Sequence, residues 1–151
     1  MYAFEDKRGR AICLIPEVTA IVQERWRDSW AKTQPRPYRL FYESRCYRYE
    51  RPQRGRYREF TQVGVEILGG DPAAGLTEAK QTLIGLLEVL GLEYEFRDSV
   101  RRGLTYYTSP GFEVECDRLG AQKQVAGGGP YAEGVGWAIG IDRLLLALEL
   151  H

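Results

Sequence analysis

The sequence predicts an α+β domain: a mostly antiparallel sheet flanked by helices. Strand-like runs outnumber helical ones and follow one another through short turns that hold Gly or Pro, the pattern of hairpins rather than of βαβ crossovers. Three stretches alone carry helical periodicity. The 151 residues amount to one domain at ~100–200 residues per domain, long enough to hold a core without disulfide or metal staples.

Residues 1–6 and 11–15 read as two short strands around the turn Lys7-Arg8-Gly9-Arg10. Pro16 suits a first helical turn, where its missing N–H is not needed. Ala20, Ile21, Val22, Trp26 and Trp30 then form one stripe, which predicts a helix over 17–30. Lys32 to Pro37 is a polar connector. Residues 39–50 are an aromatic-rich strand, and 60–68 return with Val63, Val65 and Ile67 on one face. Together they predict a long hairpin with a wide basic loop. Gly69 to Gly75 breaks the chain, after which Thr77 is expected to cap a helix that runs through Leu83, Leu86, Leu87 and Leu90 to a stop at Gly91. Further strands are expected at 93–96, 104–108, 112–115 and 122–126, and Gly127-Gly128-Gly129-Pro130 reads as a flexible approach. Residues 135–140 read as a buried strand that turns directly into a helix over 141–150.

Composition excludes several functions. Lys plus Arg and Asp plus Glu both number 21, which argues against a uniformly basic nucleic-acid binder and leaves room for a local patch. Cys13, Cys46 and Cys116 are far apart, so no disulfide framework or Cys-x-x-Cys knuckle is present. A reducing, cytoplasmic setting is the expectation. The one histidine is His151, which removes Ser-His-Asp and Cys-His catalysis and histidine-rich metal sites. Catalysis has to run on Arg, Lys, Glu, Asp, Tyr, backbone groups or a bound metal. No apolar run approaches the ~20 residues of a membrane span, and residues 1–6 do not read as a signal peptide.

Four stretches could carry chemistry. Between Arg36 and Arg58 stand eight arginines against Glu43 and Glu50, interleaved with Tyr42, Tyr47, Tyr49 and Tyr57. Guanidinium forks hold phosphate or carboxylate bidentately, although a charge run is also simply a solvated strand face. Gly136 to Arg143 joins a glycine-flanked strand to a helix start, which favours an anion and equally describes a core strand. Arg101-Arg102-Gly103-Leu104-Thr105-Tyr106-Tyr107 could line a polar pocket or pack as a half-buried strand. Pro16-Glu17-Val18-Thr19 offers a carboxylate and a hydroxyl at a helix start, as a cap or as a substrate clamp.

The four occur together and in a set order. Leu14-Ile15-Pro16-Glu17-Val18-Thr19, Tyr47-Arg48-Tyr49-Glu50-Arg51-Pro52-Gln53-Arg54-Gly55-Arg56 continuing to Phe60-Thr61-Gln62-Val63-Gly64-Val65-Glu66, Arg102-Gly103-Leu104-Thr105-Tyr106-Tyr107, and Gly136 to Arg143 resemble, in turn, the segment after motif 1, motif 2, the histidine-specific signature and motif 3 of histidyl-tRNA synthetases. The resemblance covers nearly the whole chain and implies the class II aminoacyl-tRNA synthetase catalytic fold.

The resemblance also implies roles. Arg48 would hold the α-phosphate of ATP and Arg143 the γ-phosphate, with Arg56 also on the triphosphate. Glu50 would meet the adenine side and Phe60 would stack on adenine. Glu17, Thr19 and Gln62 would hold the amino group of the amino acid. Glu66, Tyr106, Tyr107 and Tyr131 would belong to the amino-acid pocket. Arg102 would sit between the substrate carboxylate and the α-phosphate, so that Arg48, Arg102 and Arg143 form the catalytic set. ATP and Mg²⁺ are the implied cofactors, with no dedicated protein metal site. The implied partners are histidine or another small amino acid and a tRNA acceptor end. A catalytically silent relative, the regulatory subunit of ATP phosphoribosyltransferase, supplies the alternative of histidine sensing, and an inactive fragment is a third reading.

Departures from the family pattern set further expectations. Motif 1 and the anticodon-binding domain are expected to be missing. Only 36 positions separate Glu66 from Arg102, so the family's insertion domain is expected to be absent, and either self-association by a non-standard interface or poor solubility is expected in place of the motif 1 dimer. Ile15, Thr105 and the stretch Pro130-Tyr131-Ala132-Glu133 replace residues usual in the family, which implies an altered amino-acid pocket.

Overall fold

The computed structural model describes residues 1–101 and 103–149; Arg102 and His151 lie outside the described residues. Strands β1 (Ala3–Glu5) and β2 (Ala11–Cys13) make a two-stranded antiparallel sheet. The main sheet holds β3 (Tyr38–Tyr47), β4 (Glu59–Leu68), β5 (Glu95–Val100), β6 (Gly111–Glu115), β7 (Gln124–Tyr131) and β8 (Gly134–Gly140) in the order β3-β4-β8-β7-β6-β5, every pair antiparallel. The expected α+β architecture is therefore present. No described helix is long and apolar enough to cross a membrane.

Side-chain alternation divides the sheet into two faces. Val63, Val65 and Ile67 of β4, Val135, Trp137 and Ile139 of β8, and Phe112 and Val114 of β6 face α3 (Pro72–Val89) and α4 (Ile141–Glu149). Leu83, Leu87, Phe112 and Ile139 are buried there, each worth about 1.5–3 kcal/mol relative to exposure. On the opposite face, Val22 of α1 (Thr19–Arg25) and Trp26 just beyond its end pack against Leu68 and Tyr131. That helix does not continue unbroken to Trp30. It widens into a π-helical turn over Trp26–Trp30 and closes with α2 (Ala31–Thr33), which sets both tryptophan rings against Tyr38 at 6.3 and 5.6 Å.

Three expectations need correction. Helix α3 begins at Pro72, and its cap is Asp71, whose Oδ1 accepts from the Ala74 N–H at 2.8 Å. Proline at the first position and a side-chain acceptor just before it outweigh Thr77, whose hydroxyl donates back to the Ala73 carbonyl at 3.0 Å. Asp71→Ala should lower stability by about 1 kcal/mol, read as a small fall in thermal midpoint with the helix signal intact. The stop at Gly91 stands, in the left-handed region at φ 66°. Residues 104–108 form a turn rather than a strand, pinned by a single bridge between Tyr107 and Tyr131. Finally, Gly127, Gly128 and Gly129 are not a flexible approach. They are buried in β7, and a Cβ on Gly128 would come within 2.8 Å of the Phe112 ring and 2.7 Å of Trp137. Glycine there serves close packing.

Candidate active site

On the face opposite α3 and α4, the even-numbered residues of β4 run in the order Phe60, Gln62, Gly64, Glu66, Leu68. Phe60 and Gln62 form part of the floor of a cleft of about 540 Å³. Ala138 and Gly140 continue that floor on β8, paired with Gly64 and Gln62. Tyr106 and Tyr107 wall one side, and the 48–58 hairpin walls another.

One end of the cleft is cationic. The hairpin is held shut by the Arg48 N–H on the Arg58 carbonyl at 2.9 Å and by the Gln53–Arg56 turn, so the basic loop is tighter than a wide one. Arg48 donates Nε to the Pro16 carbonyl at 2.9 Å and lays its guanidinium 4.9 Å from the Phe60 ring centre. Arg56 pairs with Glu50. Arg143, at the start of α4, donates to the carbonyls of Gly55 at 2.5 Å and Gln124 at 2.8 Å. Burial, then the charges of Arg48 and Arg56, hold Arg143 below the ordinary arginine pKa, while Glu50 opposes them. Asp142 lines the same end and accepts from the Thr61 N–H at 2.9 Å, tying α4 to β4.

The other end carries hydroxyls and carboxylates. Glu17 is cap and lining residue at once. Its Oε1 accepts from the Ala20 N–H at 3.1 Å, and its Oε2 accepts from the Tyr106 hydroxyl at 2.7 Å. Tyr106 also contacts the rings of Tyr107 at 4.6 Å and Tyr131 at 6.2 Å. Gln62 Oε1 accepts from the Cys46 thiol at 3.4 Å.

Glu17, Thr19, Arg48, Glu50, Arg56, Phe60, Gln62, Tyr106, Tyr107 and Arg143 thus line a single cleft. Glu66 and Tyr131 do not line it, which corrects their expected place on the pocket wall. Both lie beneath the floor. Glu66 is 0% exposed, its Oε1 accepting from Thr19 at 2.6 Å and its Oε2 from Tyr131 at 2.7 Å. The reason is steric: Gly136 leaves a hollow that the carboxylate fills. Arg102 falls outside the described residues. Sequence reasoning missed Tyr42 and Asp142 as lining residues. Strand parity could have found the first, since Tyr42 pairs with Gly64 and so shares a face with Gln62 and Glu66.

Burial pushes the Glu66 carboxyl up from 4.5 to about 7, against the hydrogen bonds from Thr19 and Tyr131. The raised value means that the folded chain binds the proton more tightly than the unfolded one. The stability it contributes is full below pH 4.5 and is lost as pH rises through about 7. Relative to Glu66→Gln, the wild-type chain should lose roughly 3 kcal/mol across that window. Thermal midpoints of both chains from pH 4 to 8 test this, and parallel profiles would refute it.

Comparison with known proteins agrees with the geometry. Residues 2–131 match the model of the tRNA synthetase class II core domain (G, H, P, S and T). A histidine–tRNA ligase of Methanocorpusculum labreanum is 29% identical over 98% of this chain and 61% of the relative. The chain therefore spans about three fifths of that relative's length, in an alignment 250 positions long against 151 residues. The structure of apo Staphylococcus aureus histidyl-tRNA synthetase superposes with a TM-score of 0.78 at 27% identity, covering 99% of this chain and 55% of the other. An ATP phosphoribosyltransferase regulatory subunit/histidyl-tRNA synthetase from Bacillus halodurans C shares the fold, with a TM-score of 0.77 at 19% identity over 97% of this chain and 67% of the other. A match across most of the chain, on the expected sheet and with the motif residues gathered in one cleft, makes this chain a member of the class II tRNA synthetase core-domain family.

Proposed function

We propose that the chain binds ATP with Mg²⁺ and an amino acid, histidine first among them, and joins the two as an aminoacyl-adenylate. The observation that carries this is the polarity of the cleft. Three guanidiniums, Arg48, Arg56 and Arg143, line one end, where burial and then the charges of Arg48 and Arg56 hold Arg143 below its ordinary pKa, and a polyphosphate offsets that concentration of positive charge. Glu17 and Thr19 at the other end suit an ammonium group. The carboxylate oxygen of the amino acid attacks the α-phosphorus, the bond to the bridging oxygen breaks, and pyrophosphate leaves. No protein base is required. The chain contributes positioning and charge stabilisation. Mg²⁺ prefers phosphate oxygens with one or two carboxylates, and Glu50 and Asp142 are the carboxylates at that end.

The chain is read as a core without an insertion between Glu66 and Arg102, in line with the long alignment to the M. labreanum relative. Transfer to a tRNA acceptor end belongs to the same proposal, with exposed Arg51, Arg54 and Arg58 as the surface for it. One observation favours a second reading, histidine sensing without ATP chemistry: Arg143 and Arg56 are already engaged by Gly55, Gln124 and Glu50 of the same chain. Amino-acid-dependent ATP–pyrophosphate exchange, run across all twenty amino acids, tests the first reading. Calorimetry separates the two: ATP binding supports adenylation, and histidine binding without ATP supports sensing.

A further inference from the structure

The main sheet has two edges, β3 and β5. The β5 edge is blunted: its pairing with β6 slips between Arg97 and Val100, and Ser99 turns to φ 58°. Bulges of this kind keep an edge from accepting another strand. The β3 edge has no such device. It pairs with β4 in one unbroken register from Tyr38 to Tyr47, and no described strand pairs with its outer side. Backbone groups alternate in direction along a strand of an antiparallel pair. The Arg48 N–H crosses to Arg58 of the same hairpin, whereas the Tyr47 N–H turns away from it and donates to the Ile15 carbonyl at 2.7 Å. By that parity the N–H and C=O groups of Arg39, Phe41, Glu43 and Arg45 point off the sheet edge. The Phe41 side chain is 80% exposed, beside the half-buried Val65.

We propose that β3 pairs with β3 of a second copy of this chain, antiparallel and two-fold about Phe41, so that the two main sheets join into one. A two-fold axis on the edge sets residues of like parity opposite one another, so the outward groups of both copies exchange hydrogen bonds. Charge then chooses the register, since opposite charges facing across strands stabilise and like charges destabilise. An axis at Phe41 sets the two rings together and each Arg39 opposite Glu43 of the partner copy. An axis at Tyr42 sets Arg39 opposite Arg45, one at Glu43 sets that carboxylate against itself, and one at Leu40 leaves Glu43 opposite Pro37. Arg39 is held in place by Glu78, through Nε at 2.5 Å and Nη2 at 2.9 Å, which leaves Nη1 for the partner's Glu43. Helix α3 lies chiefly over β8 and β4, so the helices of the two copies stand clear of each other.

Cross-linking reads the register directly. In a Cys13→Ser background, which removes the exposed native thiol, Phe41→Cys should form an intermolecular disulfide on mild oxidation. Facing residues of a hydrogen-bonded pair stand about 5.5 Å apart at Cα, within disulfide reach. Arg39→Cys alone should not cross-link, because its own copy in the partner sits four residues along the strand, but a mixture of Arg39→Cys and Glu43→Cys chains should. Glu43→Arg sets arginine opposite arginine twice in each dimer and should raise the dimer Kd at least ~10-fold in sedimentation velocity. A far-ultraviolet spectrum like that of the wild type shows that this exposed change leaves the fold intact. A wild-type chain that sediments as a monomer at its highest soluble concentration overturns the proposal. So does a Phe41→Cys chain that dimerises without cross-linking, or a folded Glu43→Arg chain that associates as tightly as wild type.

Discussion

Arg48→Ala should abolish measurable pyrophosphate exchange, a loss of at least about 10²–10³-fold in kcat, or roughly 3–4 kcal/mol of transition-state stabilisation. The guanidinium is anchored at two points. Its Nε is held by the Pro16 carbonyl and its plane rests on Phe60, so its remaining N–H groups are aimed by the fold before any ligand arrives. A pre-aimed donor costs no reorganisation when charge develops on phosphorus. The cost to the fold is small by comparison. One side-chain hydrogen bond is worth about 1 kcal/mol, and a chain of this size shifts its midpoint by about 2–4 °C per kcal/mol. Activity within threefold of wild type would refute the role. A midpoint lowered by more than roughly 5 °C would show Arg48 to be chiefly structural.

Gly136→Ala should destabilise the fold strongly, although it adds a single methyl group. The added Cβ would stand 1.7 Å from Glu66 Oε2 and 2.8 Å from the Val65 carbonyl. Glu66 cannot swing aside, since Thr19 and Tyr131 hold it on both oxygens and it has no exposed surface. Overpacking costs about 1–3 kcal/mol, and breaking the hydrogen bonds of a buried carboxyl adds roughly 1–3 kcal/mol. A fall of roughly 10 °C in thermal midpoint follows. In a Glu66→Ala background the same glycine change should cost less than half as much, because the clashing oxygen is gone. Equal penalties in both backgrounds would refute the account.

The sequence held more of the fold than of the site's depth. Val63, Val65 and Ile67 announced β4 and its buried face, because period-two alternation is a direct consequence of strand geometry. The Pro16–Thr19, 47–66 and 136–143 stretches announced the cleft through their residue types. What stayed hidden depended on contacts distant in sequence. Glu66 reads as a ligand-facing carboxylate until Gly136 is placed opposite it. The glycines 127–129 read as slack until Phe112 and Trp137 are seen against them. Tyr106 and Tyr107 have the strand preference of aromatic residues, yet they sit in a turn where their rings close the cleft.

The strict face-sorting of β4 also governs which length changes the gene can tolerate. An extra codon in the exposed 51–54 segment only lengthens a surface turn. The same codon between Phe60 and Ile67 would reverse the facing of every residue beyond it, sending Gln62 or Glu66 into the oil of the helix side and a valine into the ligand's place. A library of single-codon insertions and deletions should therefore show a sharp boundary at the start of β4, permissive before it and lethal to folding within it.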